Sequence, residues 1–184
     1  MLKILIGFSP WIAFFVLTGP ETKQMQTAVI AGLIAFLIVG LKDLKRGFIL
    51  SWGSLLFFLF MLVMVVFVRH DWIISHPWII SNSALAIIIF VSLLVKKPFV
   101  LQYAKAKTDK SKWDSPIFYR VCFLMSLMWG LLIGFSALIH VVKIFYPDVP
   151  SWIYLGLSNG TTIAGFFMNS WFPKWYKKKH MQNT

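Results

Sequence analysis

The chain has 184 residues, 59% of them hydrophobic, 17% aromatic and only 13% charged, with a formal net charge of +12. A soluble domain carries about 25% charged residues, so the missing charge excludes an ordinary water-soluble globule. Abundant aromatics, the absence of heptads and a lone cysteine, Cys122, exclude disorder, a coiled coil and a disulfide scaffold.

Six stretches contain no Asp, Glu, Lys or Arg: Ile4 to Pro20, Gln24 to Leu41, Gly47 to Val68, Trp72 to Val95, Val121 to Val142 and Val149 to Pro173. A hydrocarbon layer about 30 Å thick needs roughly 20 helical residues, and each stretch is near or above that length. Runs such as Leu55 to Val68 are apolar on every face, which does not suit a barrel of alternating strands. The expected fold is therefore an all-α integral membrane protein, a single transmembrane domain built as a bundle of six helices in three hairpins. Its spans cover about 4–20, 24–41, 47–68, 72–95, 117–142 and 151–172. Lys3 precedes the first stretch as in a signal peptide, but Val16-Leu17-Thr18-Gly19-Pro20 has no small-x-small cleavage pattern, so a retained first helix is expected, kinked at Pro10.

Orientation follows from the basic residues. With the amino terminus in the cytoplasm, that side holds fifteen Lys and Arg and the other side three, Lys23, Arg69 and Lys143. Sorting of this kind places both termini in the cytoplasm and requires an even number of spans. The acids show no such sorting, three lying on each side. The cations cluster near helix ends, where anionic headgroups lie, so the expected partners on the cytoplasmic side are membrane lipids and not nucleic acid.

The longest connection, 96–116, is a basic cytoplasmic interfacial loop. Pro98 suits a helix start, and Phe99 and Tyr103 share one face of the short helix expected there. Lys96, Lys97, Lys105, Lys107, Lys110 and Lys112 are its candidate contacts to lipid headgroups or to a partner, either another membrane protein or a second copy of the chain. Lys45 to Trp52 also aligns with Lys96 to Tyr103 at a spacing of 51 residues, a short match that any two cytoplasmic boundaries share.

Four features then appear in order: Phe8-Ser9-Pro10 in the first stretch, His70-Asp71, His76-Pro77 at the fourth, and Lys96-Lys97-Pro98 after it. Together they resemble the intracellular septation protein A family of bacterial inner-membrane proteins. Lys97 to Lys105, with Trp113-Asp114-Ser115-Pro116 downstream, is similar to a variant in related uncharacterised membrane proteins. The resemblance implies a multi-pass protein of the bacterial inner membrane, linked to cell-envelope synthesis and septation, with no catalytic residue to carry over. That family is drawn with five spans, one fewer than the stretches here.

Ionisable groups inside a bilayer are costly and functional by default, and none of the six acids lies within a stretch. No catalytic constellation, cofactor motif or metal-binding spacing is present, so a catalytic or metal site and a bound cofactor are not expected. Cys122, between Val121 and Phe123, reads as a small hydrophobe. Arg69, His70, Asp71 and His76 form a candidate cluster on the outer face, read first as interfacial anchors beside Trp72 and Trp78 and alternatively as metal ligands that His140 joins. Asn82, His140, Asn159, Thr162 and Asn169 are candidates for helix packing or for a polar pathway, with Gly130, Gly134 and Ser136 as partners of the last span. Two functions follow: a non-enzymatic protein that maintains the envelope through lipid and protein contacts, and, as the alternative, a small transporter or channel for a small solute or lipid.

Overall fold

The computed structural model describes residues 2–19, 21–106 and 108–181, with side chains placed for all of these except 2–6, 112, 177, 180 and 181. Every regular element among the described residues is helical. In chain order they are α1 (Leu2–Leu17), α2 (Thr22–Val39), α3 (Leu41–Lys45), α4 (Ile49–Leu62), α5 (Asp71–Ser75), α6 (Pro77–Leu94), α7 (Phe99–Lys105), α8 (Pro116–Phe145) and α9 (Ser151–Met181). Four helices are both long and apolar enough to cross a membrane: α2, α4 with its extension to Phe67, α6 and α8. The apolar part of α1, Gly7–Leu17, is shorter. In α9 the run Ser158-Asn159-Gly160-Thr161-Thr162 dilutes the apolar residues. Leu94, Val16, Ile38 and Phe67 are more than 70% exposed, which fits helices whose outer faces meet lipid tails.

Local chemistry sets the breaks. α4 widens into a π turn over Val63–Phe67, with the Val68 amide reaching the Val63 carbonyl at 2.9 Å, and the chain then turns at Arg69 with φ +55°. The charge-free stretch from Trp72 to Val95 is not one helix. Pro77 disfavours helical backbone at the residue before it, and His76, at φ −124° and ψ 46°, separates α5 from α6. α6 ends with Lys96 in the left-handed region, φ +57°, where the Lys97 and Lys96 amides bond the carbonyls of Ser92 and Leu93 at 2.9 and 3.0 Å. At the other extreme, α1 continues through the buried Pro10, and α9 continues through Pro173 into its basic end.

The chain divides into two compact units, residues 1–84 and 85–184. In the first, α1 packs on α2 and α2 on α4. Its core is aromatic: Trp11 stacks on Phe57 at 4.5 Å, Phe14 meets Phe57 edge-on at 5.9 Å, and Phe58 lies 5.5 Å from Trp11. Gly32 makes room for the Phe58 ring, which a Cβ at that position would strike. The indole of Trp11 donates to the Ser54 hydroxyl at 2.8 Å, and Ser54 donates onward to the Leu50 carbonyl at 2.7 Å. In the second unit, α7 and α9 both pack on α8. The Gly130 and Gly134 surface of α8 lies against Ile89, Phe90 and Ala86 of α6, not against the last helix as the spacing suggested. The close approach to α9 is made at Gly165, where an added Cβ would stand 2.8 Å from the Trp129 ring.

Candidate functional site

In the second unit, α7 follows directly on the basic loop's first lysines, Lys96 and Lys97, and two buried serines hold it. Phe99, Val100, Leu101 and Tyr103 are all buried, so α7 is docked into its unit and does not merely float at a surface. The first amides of any helix lack partners within it. Here the Phe99 amide donates to Ser92 Oγ of α6 at 3.1 Å, and the Val100 amide donates to Ser126 Oγ of α8 at 3.2 Å. Both hydroxyls donate back to their own helices, Ser92 to the Ile89 carbonyl at 2.6 Å and Ser126 to the Cys122 carbonyl at 2.9 Å. Each serine thus satisfies a donor that would otherwise be orphaned among apolar side chains.

Lys96, Lys97 and Lys110 are exposed, while Lys105 is half-buried with Nζ 5.2 Å from the Trp113 ring centroid. Trp113 is itself held, its indole N–H donating to the Thr108 carbonyl at 2.9 Å. Lys107 and the side chain of Lys112 lie outside the described residues.

The same unit contains a buried polar chain between α8 and α9. Ser136 and Ser158 share a hydrogen bond of 2.5 Å, and Nε2 of His140 lies 3.2 Å from Ser158 Oγ. Ser136 and His140 are one turn apart on α8 and both are buried, so the two helices are joined at two levels by Ser158. Tyr154 adds a third tie, donating to the Tyr146 carbonyl at 2.8 Å. A hydroxyl beside an imidazole is also the beginning of a nucleophile–base pair. Ser158 sits in the interior of α9, however, where helical backbone amides are already used and offer no oxyanion donors. What the arrangement does chemically is relay hydrogen bonds across a helix pair.

The remaining candidates are spread out. Asn159 and Thr162 are exposed on α9. Asn169 is half-buried, and its Oδ1 has no hydrogen-bond partner among the described residues. Asn82 is buried but spends its amide on its own helix, donating to the Trp78 carbonyl at 2.8 Å. Only His140 of these five belongs to the polar chain. In the first unit, Arg69, His70 and Asp71 are exposed around the turn into α5. His76 stacks on Trp72 with centroids 4.9 Å apart, and its Nδ1 donates to the Trp72 carbonyl at 2.9 Å. Among the described residues no three His, Cys, Asp or Glu side chains come together as metal ligands.

Ser92 and Ser126 were not singled out in the sequence. The available signal was a lone hydroxyl inside an otherwise apolar run, which is costly unless bonded. No family model, curated protein or solved structure matches the chain.

Proposed function

We propose that the chain is a non-enzymatic, multi-pass protein of the bacterial inner membrane that maintains the cell envelope or assists septation through lipid and protein contacts, presenting its basic loop as a fixed platform. The observation that carries this reading is the docking of α7. Its backbone amides are tied to Ser92 and Ser126, its apolar side chains are buried, and Lys96, Lys97 and Lys110 are left facing out. A segment that served only as a tether would need no such anchoring, whereas a surface that must meet anionic headgroups or a partner gains from being pre-ordered. In this reading α1 and α9 also cross, making six spans with both termini in the cytoplasm. The sorted lysines and arginines support that topology, and the likeness to septation protein A supports the role.

The test is a chromosomal deletion complemented by variants. Wild-type protein restores cell shape and division, and Lys96→Glu/Lys97→Glu, expressed and inserted equally well, does not. Full complementation by that variant would remove the platform role. Reporters fused to each end check the topology separately.

One observation favours a second reading, a small transporter or channel: the buried Ser136–Ser158–His140 chain places polar groups inside an apolar helix pair. Solute flux into liposomes that His140→Leu abolishes would favour transport over the platform.

A further inference from the structure

An open cavity of about 600 Å³ lies where the basic loop enters α8, walled by Trp113, Asp114, Tyr119, Arg120 and Phe123. Sites for small molecules span about 300–1,000 Å³. We propose that this cavity binds the headgroup of a zwitterionic phospholipid bearing a primary ammonium, with Arg120 holding the phosphate and Asp114 the ammonium.

Charge is the first argument. Asp114 and Arg120 line the same space, both are exposed, and among the described residues the one ion pair is elsewhere, Arg46 with Asp43 at 3.5 Å. Two opposite charges that face one cavity without pairing suit a ligand carrying both signs. A headgroup with net negative charge would meet the Asp114 carboxylate as a like charge. A quaternary ammonium has no N–H to give that carboxylate and would leave it without a hydrogen-bonded partner. A primary ammonium supplies three donors and meets Asp114 directly.

Position is the second argument. Arg120 is the last charged residue before the charge-free run Val121 to Val142, so the cavity straddles the level where phosphates give way to hydrocarbon. Trp113 and Asp114 lie on the loop side. Tyr119 and Phe123 lie one turn apart on α8 with rings stacked at 6.3 Å, a stripe along which an acyl chain can descend. The guanidinium suits the headgroup end because its planar fork matches phosphate oxygens.

The inference deepens the lipid-contact reading above and rests on it. It is tested on the full-length protein in nanodiscs made from equal parts of phosphatidylethanolamine, phosphatidylcholine and phosphatidylglycerol with identical acyl chains. Lipids that remain bound after release are counted by native mass spectrometry. The wild type is expected to retain phosphatidylethanolamine about threefold or more over the other two, a modest factor because the charges are exposed. Asp114→Asn should bring phosphatidylethanolamine down to the level of phosphatidylglycerol, and Arg120→Gln should lower retention of all three, with Arg120→Lys recovering part of it. Equal retention of the three lipids by the wild type, or an unchanged ratio in Asp114→Asn, would overturn the proposal. Circular dichroism melts of the same samples establish that the variants fold. Selectivity failing while Lys96→Glu/Lys97→Glu still loses complementation would remove this site alone. The reverse pattern would remove the platform role and leave the site standing.

Discussion

Residues 1–84 pack through aromatic rings, whereas residues 85–184 pack through hydroxyls. In the first unit Trp11, Phe14, Phe57 and Phe58 interlock, and a hydrogen bond from Trp11 to Ser54 joins α1 to α4. In the second, Ser92, Ser126, Ser136, Ser158 and His140 each bond across elements. The difference follows from what each must fix. Between apolar helices in a bilayer the hydrophobic effect contributes little, so association rests on close contact and on polar bonds. Large rings supply contact where helices only need to stay together. Hydroxyls supply direction where a short helix, α7, must be held with its first amides satisfied, next to the exposed Lys96 and Lys97.

The sharpest way to break this contrast is in the first unit. Phe58→Ala should cost about 3–5 kcal/mol, more than Ser54→Ala, which leaves the buried Trp11 indole N–H without its acceptor and should cost about 1–3 kcal/mol, measured by unfolding in mixed micelles. If the two variants cost the same, the aromatic account of that core fails. Next comes the anchor of α7. Ser126→Val leaves the Val100 amide without its acceptor and should cost about 1–3 kcal/mol, with hydrogen exchange at the start of α7 accelerated and largely restored in Ser126→Thr. Unchanged exchange in the valine variant would mean that burial of Phe99 and Tyr103 alone holds the helix.

A smaller effect is expected at the α8–α9 chain. Ser136→Ala removes one bond to Ser158 and should cost about 0.6–1.7 kcal/mol, with the His140 ring resonances shifted in NMR spectra. Gly156→Ala should stabilise by about 0.5–1 kcal/mol through helix propensity, because nothing lies within 4 Å of the added carbon, whereas Gly165→Ala forces the Trp129 ring to move and offsets that gain. Equal effects at the two glycines would contradict the assigned face of α9.

Much of the helical layout is readable from charge alone. The charge-free stretches anticipate α2, α4, α6 and α8 within a few residues, because both the bilayer and the helix impose length and polarity rules that act on local sequence. Pro77 even carries the break at His76 that the hydropathy of its stretch conceals. The site is less legible. Ser92 and Ser126 are lone hydroxyls in apolar runs, which says that each must be bonded but not to which helix. Asn159 and Thr162, prominent in sequence as polar residues of the last helix, are exposed, while Ser158 beside them faces α8. A step of one residue rotates a helical position by about 100°, so adjacent side chains serve different surroundings.

What the amino-acid order determined by itself, then, is the helical class, the approximate extents of α2, α4, α6 and α8 and the concentration of cations at particular junctions, all consequences of rules that apply residue by residue. Only the tertiary structure decided that α7 is anchored, that Gly130 faces α6 while Gly165 faces α8, and that Asp114 and Arg120 share a cavity without pairing. Those depend on which helix faces meet, and a face is chosen by the fit of whole surfaces across distant segments, which no local pattern encodes.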